Sequence, residues 1–241
     1  MPAPIQGAAS RTAGRPSSAV WRSMMYLANA VHLRLNTECP EDASMRDDDP
    51  TADSDTRTDA RAEATPGTAR VIDTAPSTPV VAHLGLGANL GDAAATVRAA
   101  LARLDHLPRT RLLQASRLYR TPAWGVTDQP DFVNAVARVE TGLSPRALLE
   151  VLLALERAFG RVRATDGSGR WGPRSLDLDM LLYADLRIDA PGLQLPHPQM
   201  HRRAFVLVPL LEIASTLEIP GIGLAAPLLE GLDGGGIAPL E

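Results

Sequence analysis

Apolar and polar positions follow no repeat in the first 79 residues and fall into regular periods after them. From Val80 to Leu86 the chain reads as a strand. Asp92 is placed to cap a helix through Leu107, with Val97, Ala100, Leu101 and Leu104 on one face and Pro108 to end it. Leu112 to Arg120 reads as a second strand, and 122–130 as a loop. Phe132 to Glu140 sets Val133, Ala135, Ala137 and Val139 against Phe132, Asn134 and Val136, the period of a third strand. Ser144 and Pro145 open a second helix with the stripe Leu148, Val151, Leu152, Leu155 and Phe159, and Gly160 stops it. A strand carrying Asp177 and Asp179 follows, then a loop, then a helix over Phe205 to Ala214.

The order βαββαβ is a split βαβ. It predicts an α+β, ferredoxin-like plait: a four-stranded antiparallel sheet with flanking helices, packed on one face. That domain spans residues 80–220, and the Gly-rich residues 221–241 read as a C-terminal tail. Residues 1–79 are rich in Ala, Thr, Ser, Asp, Arg and Pro, and 38–59 hold almost no large apolar side chain. Such a segment cannot bury enough surface to offset its ordering entropy, so 1–79 is expected to be a disordered extension.

Composition narrows the classes. Of 241 residues, 45% are hydrophobic, enough for a globular core. The net charge of −4 argues against a nucleic-acid partner. All 24 basic residues are Arg, so a side-chain contact to phosphate must come from Arg or a protonated His. The single cysteine, Cys39, forms no internal disulfide and no zinc cluster. No apolar run approaches the ~20 residues of a membrane span. Residues 1–37 carry Arg11, Arg15, Arg22 and Arg34 and no acid, which resembles a transit peptide. Arg22, Asn29 and His32 interrupt the apolar patch there, and a plain extension is the simpler reading. The expectation is a bacterial cytoplasmic monomer, with organelle import as the lesser alternative.

The chemistry concentrates in Arg170-Trp171-Gly172-Pro173-Arg174-Ser175-Leu176-Asp177-Leu178-Asp179-Met180-Leu181. On a strand, Asp177 and Asp179 share a face. Paired carboxylates repel unless a cation sits between them, and hard cations such as Mg²⁺ take oxygen ligands shared with phosphates. Arginines offer fixed forks for phosphate oxygens. Metal-binding acids beside phosphate-binding arginines suggest phosphoryl-type transfer from a nucleotide. The plainer alternative is a solvated strand edge with surface ion pairs.

This stretch resembles the signature of the 6-hydroxymethyl-7,8-dihydropterin pyrophosphokinases of folate biosynthesis. Gly85 to Asp92, Ser116 to Pro122, Gln129 to Ala135, Leu155 to Arg163, Pro196 to Met200 and Arg203 to Leu210 match in the same order, so the resemblance runs from Val81 to about Pro220. It implies ATP and pterin substrates, two Mg²⁺ ions on Asp177 and Asp179, and a plait-like α+β fold. It implies catalytic roles for Arg161, Arg170 and Arg174 with the two acids. It lines a pterin pocket with Gly87, Thr121, Pro122, Trp124, Phe132, Asn134, Trp171 and Phe205. It puts Glu156, Arg161, Arg163, Arg170, Arg174, His197 and Arg203 on the nucleotide. By residue type alone, Phe132 also suits core packing, Glu156 a surface ion pair and His197 a solvated loop. The Gly-rich Arg163–Arg170 segment suits a lid. No Ser-His-Asp or Cys-His nucleophile is present, and no general base stands out. A different Mg²⁺-dependent nucleotidyl or phosphoryl transferase remains open. A ferredoxin-like RNA module is disfavoured by 4% aromatics and an acidic pair.

Overall fold

The computed structural model describes residues 71–123, 128–161 and 172–240. The disorder expected for 1–79 falls outside the described residues as far as residue 70. In chain order the elements are β1 (Val80–Ala88), α1 (Ala93–Leu104), β2 (Thr110–Ala115), β3 (Tyr119–Thr121), β4 (Phe132–Thr141) and α2 (Pro145–Ala158). Then come β5 (Asp177–Tyr183), β6 (Ile188–Ala190), β7 (Leu193–Leu195), α3 (Ala204–Ile213), β8 (Glu218–Ile219), β9 (Gly223–Leu224), α4 (Ala225–Glu230) and β10 (Ala238–Pro239). The main sheet is antiparallel in the order β10-β3-β4-β1-β5, with β2 also on β4.

The local signals read from the sequence recur as geometry. Asp92 accepts the Ala95 N–H at 2.9 Å and caps α1. Ser144 accepts the Ala147 N–H at 3.3 Å, Pro145 takes the first turn of α2, and Gly160 turns the chain away at φ +83°. Helix α1 stops at Leu104 rather than Leu107, because Asp105 leaves the helix and accepts the Leu112 N–H at 2.9 Å.

Four expectations are corrected. The single strand Leu112–Arg120 is two strands. At the break the Arg117 N–H leaves the ladder for the Glu212 carboxylate of α3, at 3.2 Å. The sheet therefore has six strands rather than four. The helices are not all on one face. Leu84, Leu86, Ala135 and Ala137 pack with Leu104, Leu148 and Leu152 of α1 and α2, whereas Val136 and Leu181 pack with Leu207 and Leu210 of α3. Val136 reaches this second face by the alternation of β4, and in β5 the register with β1 slips between His83 and Leu84, which leaves Leu181 an extra residue under Gly85 and lets Leu181 and Leu182 both pack in the second core. Finally, residues 221–240 are no loose tail. Ala225 is buried in the second core, β10 pairs with β3, and the Leu240 N–H donates to the Leu118 carbonyl at 2.7 Å.

The folded unit also begins earlier than Val80. Ile72 is 3% exposed and belongs to the first core, while Asp73 forms an exposed ion pair with Arg146 at 2.8 Å. A protein lacking residues 1–77 is expected to be less stable than one lacking 1–70 by about 2–4 kcal/mol, the range for deleting a buried Ile side chain. Urea unfolding of the two proteins checks this; equal midpoints would show that Ile72 adds nothing.

Candidate active site

The site lies on the sheet face that α3 partly covers, and it is assembled by register. Asp177 stands opposite Gly87, Gly87 opposite Asn134, and Asn134 opposite Tyr119. One row along, Asp179 stands opposite Gly85, and Gly85 opposite Val136. Thr121 faces Phe132 at the other end. The sheet thus brings Gly87, Thr121, Phe132, Asn134, Asp177 and Asp179 onto one surface. Gly87 is needed for a specific reason. A Cβ there would lie 2.8 Å from Asn134 Oδ1. Asn134 Nδ2 in turn donates to Thr121 Oγ1 at 2.7 Å, so this buried carboxamide is fixed from both sides.

The acids are not equivalent. Arg161 Nη1 pairs with Asp177 Oδ1 at 2.6 Å and donates to the Leu176 carbonyl at 3.1 Å. Arg174 pairs with Asp177 Oδ2. Asp179 sits deeper in charge terms. Burial first, then the neighbouring Asp177, push its carboxyl up to about 6 against the opposing pull of Arg203, Arg174 and Arg161. Glu156, which the resemblance puts on the nucleotide and which by residue type suits a surface ion pair, is no surface group. It is 1% exposed, accepts the Leu178 N–H at 2.8 Å and lies 3.8 Å from Arg161 Nε. It holds the start of β5 and the root of Arg161 from beneath.

His197 comes from the loop after β7. Its N–H donates to the Leu181 carbonyl at 2.9 Å, and its Nδ1 accepts the Gln199 N–H at 3.2 Å. Burial, then Arg203, lower its pKa to about 4, with Asp177 pulling the other way. The ring is therefore neutral at pH 7 with its proton on Nε2, a donor rather than a cation. Arg203 precedes α3, and its guanidinium lies 5.7 Å from the centre of the Phe205 ring. Pro122 is exposed at the rim, against Gly236 of the C-terminal segment, where a Cβ would come within 2.6 Å of Pro122 Cγ. Trp124, Arg163, Arg170 and Trp171, with the lid expected over Arg163–Arg170, lie outside the described residues.

Three contributors escaped sequence reasoning: the carboxamide of Asn89, the Arg117–Tyr119–Glu212 cluster, and Gly236. Tyr119 and Arg117 both hydrogen-bond Glu212, at 2.8 and 3.0 Å. The one available signal was a polar Asn89 inside an otherwise small, apolar turn.

The donors suit a hard cation. Two carboxylates share a face, and burial, then the neighbouring Asp177, raise the carboxyl of Asp179, strain that a cation between the two acids would relieve. Among the described residues no third acid, His or Cys joins them, and phosphate oxygens suit the remaining positions of such a cation. Arg161 and Arg174 hold the oxygens of Asp177, and a triphosphate offers them equivalent oxygens.

Fold and site together define an α+β transferase-like protein with an acidic pair and arginines at one end of the sheet face that α3 partly covers. Residues 83–215 match the family model of 7,8-dihydro-6-hydroxymethylpterin-pyrophosphokinase. The chain is 46% identical over 160 residues to the 2-amino-4-hydroxy-6-hydroxymethyldihydropteridine pyrophosphokinase of Methylorubrum extorquens, covering 66% of this chain and 98% of that protein. It is 44% identical to the same-named enzyme of Haemophilus influenzae, over 63% of this chain and 92% of that protein. Among solved structures, the wild-type HPPK-DHPS protein of Plasmodium falciparum superposes with a TM-score of 0.51 at 12% identity. That match covers 68% of this chain and 45% of the Plasmodium chain, and it bears on the fold alone. The chain belongs to the 7,8-dihydro-6-hydroxymethylpterin-pyrophosphokinase family, whose activity is pyrophosphate transfer to hydroxymethyldihydropterin in folate biosynthesis.

Proposed function

We propose that this chain transfers the pyrophosphoryl group of ATP to the hydroxymethyl oxygen of 6-hydroxymethyl-7,8-dihydropterin, with Mg²⁺ held by Asp177 and Asp179. The observation that carries this reading is one surface holding a fixed carboxamide at Asn134 and, opposite Gly87, an acid pair ringed by Arg161, Arg174 and Arg203. Asn134 reads a pterin edge, with Gly87 letting the flat ring approach the backbone and Phe132 and Phe205 stacking on it. Thr121 orients Asn134, and Pro122, Trp124 and Trp171 complete the pocket.

The hydroxymethyl oxygen forms a bond to the β-phosphorus, the bond from the β-phosphorus to the oxygen bridging it to the α-phosphorus breaks, AMP leaves with that oxygen, and the hydroxyl proton is lost to water late in the step. When bound, Mg²⁺ supplies Lewis-acid polarisation of phosphate oxygens. Arg161, Arg174 and Arg203, joined by Arg163 and Arg170, carry the charge that spreads over the transferred group. His197 donates its Nε2 proton to a phosphate oxygen and does not act as a base. In this reading the chain works as a monomer in the bacterial cytoplasm, without a nucleic-acid partner. Among the described residues no helix is long and apolar enough to cross a membrane.

Chromatography of nucleotides after incubation with ATP, Mg²⁺ and the dihydropterin tests the reaction. Pterin-dependent AMP without ADP is expected; ADP would mark an ordinary kinase. A pH dependence also follows. A cation at Asp179 must displace a proton that this residue holds below pH about 6. Mn²⁺ affinity of the nucleotide-free protein, followed by electron paramagnetic resonance, should fall about tenfold between pH 7 and pH 5. A flat profile would place the cation elsewhere.

A further inference from the structure

Two segments flank the site on opposite sides. Gln129–Pro130 leads into the Phe132 and Asn134 strand, and Pro173–Arg174 leads into the acid pair. Both are irregular in the structure, so neither is positioned by sheet hydrogen bonds. They meet at Asn89, in the turn between β1 and α1.

Asn89 is 2% exposed, so no substrate reaches it. Its Nδ2 donates to Gln129 Oε1 and to the Pro130 carbonyl, both at 3.1 Å. Its Oδ1 accepts the Arg174 N–H at 2.7 Å. The backbone closes the clamp: the N–H groups of Asn89 and Leu90 both donate to the Arg174 carbonyl, at 3.0 and 3.2 Å. One carboxamide thus uses both amide protons on the pterin-side segment and its oxygen on the segment that carries Arg174. Arg174 is one of the two cations that pair with Asp177. Any shift of Gln129–Pro130 that keeps these bonds must move or tilt the Arg174 peptide. A buried polar group cannot drop a partner without the cost of leaving it unpaired.

We propose that Asn89 is a positioning residue that couples occupancy of the pterin side to the placement of Arg174 on the nucleotide. This rests on the substrate reading above. Each substrate then binds more tightly when the other is present, and the coupling runs through a residue that touches neither.

Two variants separate the halves of the link. Asn89→Asp keeps an oxygen for the Arg174 N–H and loses both donations to Gln129 and Pro130. Gln129→Ala removes one of those donations from a half-buried position and leaves the Arg174 clamp whole. Calorimetry would measure the affinity of the full chain for 6-hydroxymethyl-7,8-dihydropterin, with and without a saturating Mg²⁺ complex of a non-hydrolysable ATP analogue. Wild type is expected to bind pterin at least about fivefold more tightly with the analogue present. In Asn89→Asp that ratio should fall to near one, and in Gln129→Ala by at least about twofold, with the affinity for the analogue alone within about threefold of wild type. Wild-type ratios in both variants, or a ratio of one in wild type, would overturn the coupling while leaving the substrate reading intact. Binding of neither substrate by wild type would sink both. Should Asn89→Asp fail to fold, the Gln129→Ala ratio decides.

Discussion

Asp179→Ala is expected to lower kcat by about 10³-fold or more while leaving pterin affinity nearly unchanged. The two acids share a strand but not an environment. Asp177 is paired with both Arg161 and Arg174, which balance its charge. Asp179 is not, and burial beside Asp177 raises its carboxyl to about 6. A group kept ionised at pH 7 against burial and a like charge is held ready for a cation. Asp179→Asn supplies a second readout independent of turnover. The folded pKa is raised above the unfolded one, so the charge costs stability above pH about 6 and nothing below about 4. The metal-free Asn variant should therefore be more stable than wild type by about 1–3 kcal/mol at pH 8, with the gain gone at pH 4. Urea midpoints at the two pH values check this. Near-normal turnover in the Ala variant would overturn the metal assignment, and a pH-independent Asn gain would remove the electrostatic cause.

What was legible in the sequence was local. The caps at Asp92 and Ser144, Pro145 at the start of α2, Gly160 at its end and the alternation of β4 each depend on residues within a turn or two, and each appears where the pattern puts it. The acid pair was legible for the same reason, since i and i+2 on a strand share a face whatever it packs against. What was missed depends on partners far along the chain. The break after Ala115 needs Glu212, 95 residues from Arg117. The burial of Glu156 needs the Leu178 N–H, 22 residues away, and without that partner a helical Glu near an Arg reads as a surface pair. The packing of both Leu181 and Leu182 against α3 needs a register slip against β1 that leaves Leu181 an extra residue, and no period in β5 announces it. The strand at Ala238–Pro239 is two residues long and carries no period of its own, and its pairing with β3 fixes it.

The second large effect is expected at a residue with no side chain. Gly87 carries no positive φ, so alanine there is not strained in its backbone. The cost falls on its neighbour. The new methyl would stand 2.8 Å from Asn134 Oδ1, and Asn134 can yield only by turning its carboxamide. Turning it breaks the 2.7 Å bond to Thr121 Oγ1, and the amide then presents the wrong edge to a pterin. Losing the two hydrogen bonds of such a reader weakens binding by about 10- to 100-fold. Gly87→Ala should therefore raise the pterin KM by about that factor, with the nucleotide KM within about threefold of wild type. Asn134→Ala alone should have a similar effect. If the methyl acts only through Asn134, adding Gly87→Ala to Asn134→Ala should cost little more, a coupling that a double-mutant cycle isolates. Additive losses would show instead that the methyl obstructs the ring directly, and that the glycine serves the approach of the substrate rather than the set of the carboxamide.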